Sequence, residues 1–181
     1  AFDASLAAAQ ATTGEGKPVL WTLADEDTTV HMFGTVHLLR PGMDWRSEAF
    51  ETAFSASDTI VFEVDLKSPE GQQALMNDFV SRGFYQDGKT LTATLNEADE
   101  AVISAALDAV GLPIAAVNSF EPWMTAVNLS VMKLQSDGYD PESGVETVLT
   151  AEAEAAGMRF GYLETARDQA DAFDLLDEQA Q

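Results

Sequence analysis

The sequence predicts an α/β fold, and three observations carry that expectation. Two short runs of β-branched and aromatic residues near the N-terminus flank an acidic turn, the pattern of a hairpin. A nearly continuous apolar run, Thr59–Val64, follows a short amphipathic stretch and reads as a strand buried on both faces. Helical periodicity then fills most of the chain until a last short apolar run, Met158–Leu163. The expected architecture is an N-terminal β-hairpin leading into a mostly parallel sheet, with flanking helices and a helical insertion between the third and fourth strands.

Taken in order, "VLWTLADEDTTVHMFGTVH" supplies strands at Val19–Ala24 and Thr29–Thr35, joined by Asp25, Glu26 and Asp27. Arg46–Ser57 places Phe50, Ala53, Phe54 and Ser57 on one stripe, with Asp44 as the expected cap. Strand, helix and buried strand in succession make a βαβ unit. Ser68 caps and Pro69 opens a helix to about Val80. "YQDGKTL" is a turn, and Asn96 caps a helix over Glu97–Val110 that Gly111 and Pro113 end. Pro122 starts a helix to about Gln135, Asp140-Pro141 starts one running to Gly157, and Ala166 begins a final amphipathic helix. Residues 19–181 show no repeat, low-complexity tract or linker and read as one domain. Residues 1–18, "AFDASLAAAQATTGEGKP", lack the basic and hydrophobic regions of a signal peptide. They read as a flexible, small-residue leader from which any signal has been removed.

Composition narrows the function classes. Nine Lys and Arg against 31 Asp and Glu give a formal charge of −22, which repels phosphate backbones and anionic headgroups. Nucleic acid and membrane surfaces are thereby poor partners, whereas divalent cations and basic peptides are attracted. A solvated acidic coat accounts for most of this charge. The absence of cysteine excludes disulfides, thiolate metal sites and cysteine nucleophiles, and it suits an extracytoplasmic address, bacterial periplasm or secreted. No apolar stretch is long enough to span a bilayer.

Both histidines, His31 and His37, lie in "HMFGTVHLL". With Thr29–Thr35, Thr59–Val64 and Met158–Leu163 parallel in one sheet, the carboxyl ends bring His37, Glu63, Asp65 and Glu164 to one edge. That edge is where ligand sites form in open α/β sheets. One imidazole with several carboxylates suits Mn²⁺, Co²⁺, Fe²⁺ or Zn²⁺, with an acidified water and a spare carboxylate as general base. Gly34, three residues before His37, lets the backbone turn or approach a ligand.

Each candidate also has a structural reading. His37 suits a hydrogen-bonding residue at a strand end. A buried Glu63 must be paired, liganded or protonated. Asp65 suits a turn cap, Asp140 an N-cap, and Glu164 the approach to a helix N-terminus. His31 reads as a packing residue, and Trp45 and Trp123 either line a cleft or lock packing. No nucleotide-binding glycine motif and no HExxH is present, and no serine has a convincing histidine partner.

The segment "VLWTLADEDTTVHMFGTVHLLRPGMDWRSEAFETAFSASDTIVFEVD" resembles the start of the TraB/GumN family, which is related to the animal Tiki proteins. The likeness rests on the Leu-Trp strand, on Gly34-Thr35-Val36-His37 and on Glu63-Val64-Asp65. "FEPWMTAVNL", "GYDPESGVETVLTAEAEAAGMRFGYLET" and Gln169 resemble later blocks, so it runs from Val19 onward. It implies an α/β fold and, by analogy with Tiki, metal-dependent hydrolase chemistry of a peptidase kind on a peptide or protein substrate. His37 and Glu63 match family functional positions as catalytic residues and metal ligands, with Asp65, Asp140 and Glu164 as further ligand candidates for Mn²⁺, Co²⁺ or Zn²⁺. Family members carry a second Gly-x-x-His farther along, so the sequence reads as a fragment of a longer protein or a reduced member. Open sheet edges then invite a homodimer or segment exchange. The alternative function is a non-catalytic binding or scaffold domain that keeps the family fold.

Overall fold

Aromatic rings tie the N-terminal hairpin to the rest of the molecule. The computed structural model describes residues 17–175, so nearly all of the expected leader at 1–18 lies outside the described residues. Strands β1 (Leu20–Ala24) and β2 (Thr29–Phe33) pair antiparallel, with Trp21 opposite Met32 and Thr22 opposite His31. The turn between them is closed by the Asp25 carboxylate, which accepts from the Asp27 and Thr28 backbone N–H groups.

Helix α1 (Glu48–Ala56) is capped by Ser47, whose hydroxyl accepts from Phe50 N–H. Asp44, the expected cap, is instead paired with Lys17 at 2.6 Å. Strand β3 (Thr59–Phe62) pairs in parallel with β4 (Arg159–Tyr162), Ile60 lying opposite Phe160. Five helices fall between these partners: α2 (Pro69–Gly83), α3 (Leu91–Thr94), α4 (Glu97–Ala109), α5 (Pro122–Ser136) and α6 (Val145–Ala156). Helix α7 (Ala166–Asp174) follows β4, opened by a Thr165–Asp168 capping box. The fold is therefore α/β, with an antiparallel hairpin, a small parallel sheet and, among the described residues, seven helices.

The expectations about the strands change. The strands do not form one sheet among the described residues: β2 pairs with β1, and β3 pairs with β4. Side chains join the two ladders instead. Phe33 lies 4.5 Å from Phe50 and 5.9 Å from Trp45, and with Ile60 and Phe62 it packs on Leu39, Trp45, Phe50, Val145 and Leu149. The expected βαβ unit is thus a strand, a helix and a strand sharing a core but no ladder. Nor is β3 buried on both faces. Ile60 and Phe62 point to the core, while Val61 is 50% exposed beside Gly161, a partner with no side chain to cover it.

Two further clusters hold the helical insertion. Leu91, Leu107 and Val117 bind α3 and α4 to the short turn Ile114–Ala116. Phe79, Trp123 and Phe173 bind α2, α5 and α7, with Trp123 and Phe173 stacked at 5.4 Å. Arg82 reinforces that joint through Asp78 and Asp171.

The stretch expected as one helix from Asp140 to Gly157 is split. A 3-10 turn, Pro141–Ser143, ends at Gly144, and α6 begins at Val145. The break follows from a close approach. Leu39 N–H donates to Asp140 O, Asp140 N–H to Leu39 O, and Val145 N–H to Val36 O at 3.0 Å. These bonds press Gly144 against His37, where a Cβ would sit 2.1 Å from the His37 carbonyl oxygen. Gly144→Ala should therefore destabilise the protein by about 1–3 kcal/mol, since backbone has to shift to admit the methyl. A lowered urea midpoint with an unchanged denaturant slope is the expected result.

Candidate functional site

Because β2 ends at Phe33, Gly34-Thr35-Val36-His37 runs as a loop rather than a strand end. The backbone bonds to Asp140 and Val145 hold that loop against the start of α6. Glu146 is the second residue of α6, where the free N–H groups of the first turn favour a negative charge. Its Oε1 lies 3.1 Å from His37 Nδ1 and also accepts the Thr35 hydroxyl. Its Oε2 is buried without a hydrogen-bond partner. Only 16% of the Glu146 side chain is exposed, against 64% of His37. The pair thus has a half-buried acid, with one oxygen fully enclosed, and an imidazole that faces solvent.

That arrangement sets the charge states. The hydrogen bond to Glu146 is the chief reason that His37 holds its proton above the ordinary 6.5; burial opposes this, and the charges of Glu146 and Glu63 add to it. Burial pushes the Glu146 carboxyl up, but hydrogen bonds from His37 and Thr35 outweigh it, and the group lies below its ordinary 4.5.

The other expected residues distribute differently. Glu63 follows β3 on its uncovered side and is exposed, so the cost of a buried carboxylate does not arise. Arg40 and Arg159 are engaged elsewhere: Arg40 stacks over Tyr139 and Arg159 pairs with Asp58 at 2.8 Å. Its role at the site is its field on His37. Glu164 N–H donates to Glu63 O at 2.8 Å, so the two acids adjoin at the carboxyl edge of β3 and β4, and the Glu164 side chain accepts from Gln169.

Asp65 closes the loop before α2, accepting from Lys67 and Ser68 N–H and from the Ser68 hydroxyl. Asp140 accepts from Glu142 N–H and caps its 3-10 turn. Among the described residues, no three His, Asp or Glu side chains gather closely enough to hold a metal ion. The donors brought together here are two, His37 and Glu146, and they do not fit a metal cage.

Glu146 was not among the expected residues. A signal for it lies in "SGVE": a glycine just before a helix permits a close backbone approach, and an acid in the first turn sits at the helix end that favours negative charge. His31 is bonded to Thr22 at 2.9 Å, away from this pair. Trp45 and Trp123 are buried in ring clusters and serve packing.

The titration signs follow from these shifts. Folding takes up a proton at His37, so its contribution to stability is full below about 6.5 and lost as pH rises through the raised value. The Glu146 contribution is full above about 4.5 and lost as pH falls through the lowered value. The stability gap between wild type and His37→Gln should be widest between these limits and shrink on either side. NMR titration should place His37 above 6.5 in wild type and nearer 6.5 in Glu146→Gln.

Neither a curated protein nor a solved structure matches the chain. A family model does: that of the TraB/PrgY/gumN family matches residues 19–181, and the chain belongs to that family.

Proposed function

We propose that this chain is a hydrolase of a peptidase kind, with His37 as the reacting base. The observation that carries the reading is the half-buried Glu146 carboxylate set against an outward-facing imidazole. With Nδ1–H donated to Glu146, the Nε2 lone pair points away from the acid and is free to accept a proton. A water at Nε2 gives up that proton as its oxygen bonds to the substrate carbonyl carbon. The proton then passes to the leaving amine as the C–N bond breaks. Glu146 stabilises the imidazolium formed between these events, and Glu63 adds to that stabilisation through its field.

Mn²⁺, Co²⁺ or Zn²⁺, expected from the sequence, finds no three-donor site among the described residues, and these steps use none. Assays with each added ion test for it directly. The extracytoplasmic address belongs to the same proposal and is tested by cell fractionation. The second reading is a binding or scaffold domain without turnover, favoured by an exposed apolar face on the hairpin.

Hydrolysis of a quenched casein or peptide library by the purified chain, with and without each ion, tests the first reading. His37→Ala should lower kcat/KM by at least about a hundredfold, the usual share of a general base. In wild type, kcat/KM should rise with pH through a midpoint above 6.5, and Glu146→Gln should move that midpoint down. Unchanged turnover in His37→Ala would overturn the assignment.

A further inference from the structure

The hairpin has two unlike faces. Leu20, Thr22 and His31 overlook α1, and Phe33 enters the ring cluster. On the other face, Trp21 is opposite Met32 and Leu23 opposite Val30, with Val19 next in the same alternation. All five are exposed, between 46 and 68%. None of them is charged, in a chain whose formal charge is −22. The acidic residues of the hairpin, Asp25, Glu26 and Asp27, are confined to its tip.

We infer that this face binds the same face of a second copy of the chain. Five large apolar side chains, each about half exposed, offer on the order of 500 Å² per copy. Two copies would bury on the order of 1,000 Å², the lower bound for a specific interface. Charge selects the occupant. A basic partner finds no carboxylate on this face, whereas a like-charged copy is tolerated only where charge is absent. A two-fold arrangement of stacked hairpins running in opposite directions also keeps the two acidic tips apart. Trp21 is the anchor, as a large ring at the centre of a small interface.

The tryptophans make the test direct, because Trp21 is exposed while Trp45 and Trp123 are buried. Sedimentation velocity and tryptophan emission are measured on the full chain from micromolar to millimolar concentration. Association should appear as a monomer–dimer equilibrium with a blue-shifted emission. It should strengthen with added NaCl, which screens the repulsion between two acidic copies. Met32→Lys and Leu23→Lys should each weaken association at least tenfold while the far-ultraviolet circular dichroism stays unchanged. Val102→Lys, on an exposed position of α4, should leave it intact. A monomer with constant emission throughout the range overturns the inference. So does a dimer that Met32→Lys and Leu23→Lys leave unchanged, or association that weakens with salt and thereby points to ion pairs between the copies instead of this apolar face.

Discussion

The loop that follows β2 and the turn that precedes α6 are bound backbone to backbone, and the arrangement of the site depends on that seam. Leu39 and Asp140 exchange hydrogen bonds, and Val145 N–H reaches Val36 O. Gly144 permits the approach, having no Cβ to collide with the His37 carbonyl. Without the seam, His37 would sit on a free loop and Glu146 would be an ordinary acid on the first turn of a helix. With it, Leu39 and Val145 are buried beside Trp45 and Phe50, so the contacts that align the two side chains also form part of the core.

The asymmetry of the pair is its chemical content. A carboxylate with one oxygen committed to two donors and the other shut away from water cannot relax around a passing charge. The imidazole lies largely in solvent, where it can exchange protons with water. The half-buried partner orients the ring, and the exposed one meets the solvent. The remaining acids of this edge differ in kind. Asp65 and Asp140 have their oxygens engaged by backbone N–H groups, whereas Glu63 acts at a distance on the imidazole.

Local signals in the sequence account for much of what is seen. Proline and capping residues locate α2, α4 and α5, and the Asp25 turn locates the hairpin. His37 and Glu63 stand out because an imidazole after a Gly-Thr-Val step and an acid after an apolar run are unusual. What escapes such reading is set by contacts distant in the chain. The split at Gly144, the exposure of Val61 opposite Gly161, and the Glu146 partner each depend on a segment roughly a hundred residues away. Periodicity carries no information about that partner. The separation of the hairpin from the parallel strands is of the same kind, since it rests on ring packing around Phe33 and not on any property of β2 alone.

The Thr35–Glu146 bond spans 111 positions of the chain. Closing so long a loop has an entropic cost, which must be met before the contact itself contributes. During synthesis, the imidazole emerges early and waits without its acid until α6 has been made and docked. Until then the imidazole lacks the hydrogen bond that raises its proton affinity, so the His37–Glu146 pair can exist only after residue 146 has joined the chain.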